Sequence, residues 1–312
     1  MTVINAMKFN EQEGGMVADS QSSTQVRKYE FADKVVPIKC TNTVALVGGA
    51  GVADFLYEAS SSLLSYANEH QELDIRSLAK VLSEITLKMK REKIDQYLRS
   101  QFGVDSQGAL TGQIIVDGKP ISIDPQLKGP ITEVFTVQGR YATELFHGGF
   151  VIIGKDVSGT NLYQLHIGEA PFLSARPYAS MGSGGDESDK ILYHFIKSIK
   201  REDRNKIDPV EGMSALIKAT NASSDFNQGV GGVPTISQFG AKGIITLEED
   251  ESRLATELVR AYNAQLISSE AHHNGLDALL HQKNCFEEVE KAAFKENQKY
   301  DQIMRLLRGY KD

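Results

Sequence analysis

The chain opens with Met1-Thr2-Val3-Ile4-Asn5-Ala6-Met7-Lys8-Phe9-Asn10-Glu11-Gln12-Glu13-Gly14-Gly15-Met16-Val17-Ala18-Asp19-Ser20. A threonine behind an initiator methionine is small enough for that methionine to be removed. Removal of Met1 would leave a free α-amino group and a hydroxyl on Thr2. A hydroxyl is a poor nucleophile at neutral pH, but an α-amine with a reference pKa of about 7.7–8 can accept its proton. This opening therefore predicts a terminal nucleophile at Thr2.

Two charged residues near this opening could tune such an amine. The amine must be neutral to accept a proton, and a buried cation beside it favours the neutral form by charge repulsion. Lys34 is the candidate cation, and Asp19 is the carboxylate that a buried lysine needs. Residues 15–19 and 35–38 both read as strands, so we expect two hairpin-paired strands to bring Thr2, Asp19 and Lys34 together.

These residues resemble the proteasome β-subunit family of N-terminal-nucleophile hydrolases. The resemblance is carried, in the family's order, by Thr2, Gly15-Met16-Val17-Ala18-Asp19-Ser20, Lys34, Val47-Gly48-Gly49-Ala50-Gly51-Val52-Ala53-Asp54, Gly149-Phe150-Val151-Ile152-Ile153-Gly154 and Met181-Gly182-Ser183-Gly184-Gly185. It implies an α+β fold, the four-layer αββα sandwich of the N-terminal-nucleophile hydrolases. Asp19 lies one residue further from Thr2 than is usual in the family, and Gln21 stands where an arginine is common.

The resemblance also implies roles for further residues. The N–H group of Gly48 is the implied oxyanion donor, and the extra residue in the stretch 48–51 makes Gly49 a competitor. Ser183 is implied to hydrogen-bond near the terminal amine and to help move its proton. In the family a second Asp and Ser follow the helix predicted at 209–222. The candidates here are Ser224-Asp225 and Asn227, and Asp225 is the residue carried over.

The composition and charge of the chain indicate which kinds of binding partner are unfavourable. The chain has 312 residues, of which 41% are hydrophobic and 24% charged, with a formal net charge of −7. This is typical of a globular protein, and the negative charge disfavours nucleic acid and anionic membrane surfaces. No apolar run reaches the roughly 18 residues that span a bilayer, so a cytoplasmic location is predicted.

Cysteine and histidine spacing predicts neither a metal site nor a cofactor. Cys40 and Cys285 are too few for a disulfide framework and lack metal-ligand spacing. His272 and His273 are adjacent, so on a helix their side chains point about 100° apart. We expect this pair to be solvated rather than to bind a metal.

The chain is predicted to divide in two. Residues 1–247 form the hydrolase domain, and residues 248–312 form a C-terminal helical extension. Within the first part, residues 103–145 are predicted to be an inserted β-rich subdomain. Its strands are expected at 113–116, 121–123 and 131–137, separated by turns around 117–120 and 128–130.

The predicted function is that of a threonine-type endopeptidase, which cleaves peptide bonds through an acyl-enzyme on Thr2 after removal of Met1. The resemblance implies a polypeptide substrate and a homo-oligomeric ring, with an ATPase unfoldase as a further partner. Three alternatives stay open: an N-terminal-threonine transpeptidase or ligase, a small-molecule amidohydrolase, and a non-catalytic scaffold subunit that keeps Met1.

Overall fold

A computed structural model describes residues 2–20, 22–23, 28–29, 34–116, 119–135, 146–227, 230–282, 285–295 and 297–308. The strands are β1 (Ile4–Lys8), β2 (Gly14–Ala18), β3 (Ser22–Ser23), β4 (Lys28–Tyr29), β5 (Val35–Cys40), β6 (Thr43–Gly51), β7 (Gln113–Val116), β8 (Lys119–Ser122), β9 (Gly148–Asp156), β10 (Gly159–His166), β11 (Phe172–Leu173), β12 (Tyr178–Met181), β13 (Thr235–Gly240) and β14 (Gly243–Thr246). The α-helices are α1 (Ala53–Glu69), α2 (Ile75–Phe102), α3 (Ser106–Thr111), α4 (Pro125–Phe135), α5 (Gly185–Ser198), α6 (Pro209–Phe226), α7 (Glu249–Asn263), α8 (Ser269–His281), α9 (Phe286–Glu290) and α10 (Tyr300–Arg308).

Two five-stranded sheets form the centre of the protein. The first sheet has the strand order β12-β1-β2-β13-β14, and the second has the order β11-β10-β9-β6-β5. Every neighbouring pair in both sheets is antiparallel. A cluster of buried residues joins the facing sides of the sheets, including Ile4 and Met16 from the first sheet and Leu46, Val151 and Ile153 from the second.

Helices cover the outer face of each sheet. Helices α1 and α2 share a buried cluster with the second sheet, and α5 to α8 share another with the first. Strand β1 is buried on both sides because Ile4 and Ala6 face the second sheet while Met7, an odd number of positions away, packs with the helices. The predicted α+β, four-layer αββα sandwich is therefore confirmed.

The predicted hairpin between the strands of Asp19 and Lys34 is wrong. Asp19 follows β2, which pairs with β1 and β13 in the first sheet. Lys34 precedes β5, which pairs with β6 in the second sheet. Strand β2 forms its hairpin with β1, and β5 forms its hairpin with β6. Asp19 and Lys34 therefore meet because the two sheets stack face to face.

The segment expected to be an inserted β-rich subdomain is mixed. The hairpin of β7 and β8 forms, but the strand expected at 131–137 is replaced by helix α4 over residues 125–135. Ile131 and Val134, three residues apart, are 3% and 4% exposed and pack in the cluster that contains α2. This spacing suits one helix face better than alternating sides of a strand. Residues 117–118 and 136–145 lie outside the described residues, and the division into domains stays a prediction.

Within the part of the chain that the structure describes, no helix combines the length and the apolar character needed to cross a membrane.

Candidate active site

The turn after β12 holds the backbone of Thr2. The N–H group of Thr2 donates to Ser183 Oγ at 3.1 Å, and the Thr2 carbonyl accepts from the N–H group of Gly184 at 3.3 Å. Strand β12 pairs with β1, with Met181 opposite Ile4, which brings this turn beside the start of the chain. Gly182 has φ +100°, and a Cβ atom there would lie 2.1 Å from the Thr2 carbonyl oxygen. The close approach therefore requires glycine at this position.

A buried ion pair lies next to this backbone. Lys34 Nζ donates to Asp19 Oδ1 at 2.8 Å, and the N–H group of Val3 donates to the same oxygen at 2.8 Å. Asp19 Oδ2 accepts from the N–H group of Gly231 at 3.4 Å. The side chains of Lys34 and Asp19 are 9% and 1% exposed. The structure therefore ties the residue after Thr2 directly to the predicted carboxylate and its cation.

Burial perturbs both members of the pair. Desolvation raises the pKa of the Asp19 carboxyl, although the charge of Lys34 and the hydrogen bonds to that carboxyl oppose the shift. Desolvation likewise lowers the pKa of the Lys34 ammonium, against the attraction of Asp19. Lys34 therefore releases its proton more readily than an exposed lysine, which is typical of lysines beside reacting groups.

Thr2 and Lys34 open onto a common cavity of about 630 Å³. The glycines of β6 and the N-terminal turns of α1 form much of its wall. The apolar part of the lining comes from Val35, Val36 and Pro37 on β5 and from Leu56, Tyr57 and Leu64 on α1. Cavities of this size and character are typical of sites that bind small ligands or single segments of larger ones.

The two candidate oxyanion donors occupy different surroundings. Gly49 lines the cavity, and its N–H group donates to the carbonyl of Lys34 at 3.3 Å. Gly48 pairs with Val151 on β9, and a Cβ atom there would contact Ile4 and Met16 between the sheets. The structure thus brings Gly49 to the wall that Thr2 shares, while the oxyanion role of either glycine stays a prediction.

The structure does not place Asp225 beside Thr2, Lys34 and Asp19. Its carboxylate is 64% exposed and lies 3.4 Å from Arg260 Nη2 on α7. Two positions earlier on α6, Ser223 is fully buried and donates to the carbonyl of Gly184 at 2.6 Å. Residues two apart on a helix point about 200° apart, so only one of the two can face the glycine turn. Sequence analysis missed Ser223, for which the signal was a small hydroxyl residue on the buried face of α6.

No metal centre accompanies this site among the described residues, in which no group of three or more His, Cys, Asp or Glu side chains could hold an ion. The expectation that His272 and His273 are both solvated is wrong for the first. His272 is 7% exposed, its Nε2 lies 3.1 Å from Ser214 Oγ, and its ring stacks on Tyr262. Gln21 lies outside the described residues.

Comparisons with known proteins show the fold. No protein-family model matches the chain, and no curated protein matches it. Among solved structures it is similar to the Anbu (Gly-1) mutant from Hyphomicrobium sp. strain MC1, with a TM-score of 0.52 and 12% sequence identity. The match covers 80% of this chain and 85% of that chain. The four-layer sandwich is thus an N-terminal-nucleophile hydrolase fold.

The predicted membership of the proteasome β-subunit family is wrong. No family model matches the chain, and a likeness at 12% identity shows the fold alone. The short segments behind the resemblance are explained by this fold. Residues 15–18 and 149–154 lie in strands, and residues 182–184 form the turn between β12 and α5, where Gly182 allows close backbone approach.

Proposed function

We propose that the chain is a threonine-type hydrolase of peptide bonds, with Thr2 as the nucleophile once Met1 has been removed. One observation carries the proposal. The backbone nitrogen of Thr2 is hydrogen-bonded to the Ser183 hydroxyl, while the buried pair of Lys34 and Asp19 lies one residue away. Packing alone gives no reason for an ammonium, a carboxylate and a hydroxyl to surround the start of a chain.

In the proposed reaction, Thr2 Oγ attacks the peptide carbonyl and its proton passes to the α-amine. Ser183 Oγ, which lies 3.1 Å from the Thr2 nitrogen, orients the lone pair of that amine. The positive charge of Lys34 disfavours a protonated amine and so keeps it able to accept a proton. The proton then passes to the leaving amine as the C–N bond breaks, and water hydrolyses the ester on Thr2.

The negative charge that develops on the substrate carbonyl oxygen during this attack needs a hydrogen-bond donor. Gly48 is the donor expected from the sequence, and Gly49 is the glycine on the cavity wall. The N–H group of Gly49 already donates to the Lys34 carbonyl at 3.3 Å, so in this role it must share or exchange that hydrogen bond with the oxyanion. We extend the proposal to polypeptide substrates and to assembly of several copies of the chain, with an ATPase unfoldase as the partner of that assembly.

The test is trapping of Thr2. Intact mass is measured before and after exposure to an electrophile that closes a ring with a terminal amine and its neighbouring hydroxyl. We expect loss of Met1 and a single adduct, which persists in Thr2→Ser and disappears in Thr2→Ala. Retention of Met1, or no adduct after its removal, would contradict the proposal and favour a non-catalytic scaffold.

A second measurement separates peptidase from amidohydrolase. Purified protein is incubated with a mixed peptide library and with small amides, and the products are identified by mass. Internal cleavage of peptides supports the endopeptidase. Ligated peptides indicate a transpeptidase, and turnover of small amides alone indicates an amidohydrolase, for which a cavity of about 630 Å³ is large enough.

A further inference from the structure

A chain of buried hydroxyl and amide groups ends at the turn that holds Thr2. It starts at Asn5 on β1, whose Nδ2 donates to Ser188 Oγ at 3.0 Å. Ser188 Oγ on α5 lies 2.7 Å from Ser223 Oγ on α6, and Ser223 donates to the carbonyl of Gly184 at 2.6 Å. Asn5, Ser188 and Ser223 are each 0% exposed. The chain therefore links the first sheet, two helices and the glycine turn.

The direction of the hydrogen bonds is consistent along this chain. A carbonyl only accepts, so the hydroxyl proton of Ser223 must go to Gly184. Ser223 Oγ then accepts from Ser188, whose proton is shared with the Ala219 carbonyl at 3.1 Å. Ser188 Oγ in turn accepts from the amide of Asn5. Hydrogen bonds aligned in one direction in a dry interior strengthen one another.

Gly184 connects this chain of hydrogen bonds to Thr2. Its N–H group donates to the Thr2 carbonyl at 3.3 Å, and its neighbour Ser183 accepts from the Thr2 nitrogen at 3.1 Å. A Cβ atom on Gly184 would lie 2.9 Å from Ser223 Cβ and 3.1 Å from Val3 Cβ. The turn is therefore held from one side by Ser223 and from the other by the backbone of the proposed nucleophile.

We propose that Ser223 is a positioning residue for the Thr2 site, which holds Gly184 and thereby sets the Ser183 hydroxyl against the Thr2 amine. The inference rests on the proposed function and deepens it. Without the Ser223 hydroxyl the Gly184 carbonyl keeps only the longer hydrogen bond from the N–H group of Ser188, at 3.3 Å, so the turn can shift. A displacement of about 1 Å at a reacting group costs on the order of 100-fold in rate. A serine that merely packs α6 on α5 would affect stability alone.

The test compares two buried serines. Ser223→Ala is matched by Ser252→Ala, because Ser252 on α7 is 1% exposed and its hydroxyl donates at 3.5 Å to the carbonyl of Leu247, just before that helix. The rate of Thr2 acylation by the trapping electrophile is measured from pH 5 to 10, together with unfolding in urea. We expect Ser223→Ala to acylate about 10- to 100-fold more slowly and with a shifted pH profile. Ser252→Ala should keep the original rate and profile.

A double-mutant cycle with Ser183 identifies the route. If Ser223 acts through Ser183, then Ser223→Ala adds little to the loss already present in Ser183→Ala. Losses that multiply, or a Ser223→Ala rate equal to that of the unsubstituted protein, would overturn the positioning role. Should Ser223→Ala fail to fold, Ser188→Ala removes the preceding donor and must slow acylation in the same direction. Absence of any Thr2 adduct in the unsubstituted protein would instead overturn the proposed function, and the positioning role with it.

Discussion

Lys34 and Asp19 join the two sheets through a buried ion pair. Lys34 immediately precedes β5 of the second sheet, and Asp19 immediately follows β2 of the first. Lys34 Nζ lies 2.8 Å from Asp19 Oδ1. The attraction across this distance is offset by the cost of removing both charges from water. The pair therefore constrains how the sheets meet beside Thr2 more than it stabilises the fold.

Removing one partner should cost more than removing both. Lys34→Met leaves the Asp19 carboxylate buried without its cation, and we expect a loss of about 3–5 kcal/mol in unfolding free energy at pH 7. Asp19→Asn combined with Lys34→Met removes both charges and should recover most of that stability. Neither variant should acylate at Thr2, because both lack the cation near the amine. Urea unfolding and adduct mass measure the two effects, and a double variant that reacts normally would exclude Lys34 from the chemistry.

Gly182 should tolerate no side chain. Gly182→Ala would place Cβ 2.1 Å from the Thr2 carbonyl oxygen at φ +100°. Gly243→Ala is the matched control, because Gly243 has φ +90° but nothing within 4 Å of an added Cβ. The control carries the left-handed strain of roughly 1–2 kcal/mol without the clash. We expect Gly182→Ala to be less stable than the control and to lose Thr2 acylation, which the control keeps.

The sequence predicts the local elements and the charge pair better than it predicts how they meet. The strand at 15–18, the helices α1, α2 and α6 and the hairpin of β9 and β10 follow from local periodicity and glycine turns. The meeting of Asp19 and Lys34 also follows, because a buried lysine needs a carboxylate. Their placement on different sheets does not follow, since sheet stacking is a long-range property.

The structure differs from the sequence predictions at two further places, the segment 131–137 and the end of α6. The apolar cluster within residues 131–137 favours a short strand by composition, but residues 131 and 134 share one face of a helix, and contact with α2 selects the helix. Asp225 was carried over from the family resemblance, and Ser223 was not among the candidates. The helical phase decides the outcome, since it turns Ser223 toward Gly184 and Asp225 toward Arg260. Which face of α6 meets the glycine turn depends on long-range packing, which a local sequence pattern does not show.

Filling the cavity should affect large reagents more than small ones. Leu64 on α1 lines the cavity that Thr2 shares. We expect Leu64→Trp to slow acylation by a peptide-based electrophile at least about tenfold, while a small electrophile reacts at an unchanged rate. Leu110→Trp is the control, since Leu110 on α3 is 77% exposed. Equal effects on both reagents would show that the substitution disturbs Thr2 itself rather than the cavity.

Stability should fall in mildly acidic solution because of His272. Burial, with a smaller contribution from His273, lowers the pKa of His272 from 6.5 to about 4. Between these values the unfolded chain binds more protons than the folded one, so stability is complete above pH 6.5 and is lost as pH falls toward 4. The shift corresponds to at most about 3 kcal/mol. Urea unfolding at pH 7.5 and 4.5 should show this loss, and His272→Leu should reduce it relative to a control in which the exposed His166 is replaced by Gln.

The C-terminal helices should prove necessary for folding. Leu258 on α7 is 0% exposed and belongs to one buried cluster with Met213 and Leu216 of α6. We expect Leu258→Ala to cost about 2–5 kcal/mol, whereas Leu173→Ala, at a position that is 56% exposed, should change stability by less than about 0.5 kcal/mol. A chain that ends at residue 247 would leave the outer face of α6 uncovered and should aggregate. Cooperative unfolding of that shortened chain would instead support the predicted division at residues 247 and 248.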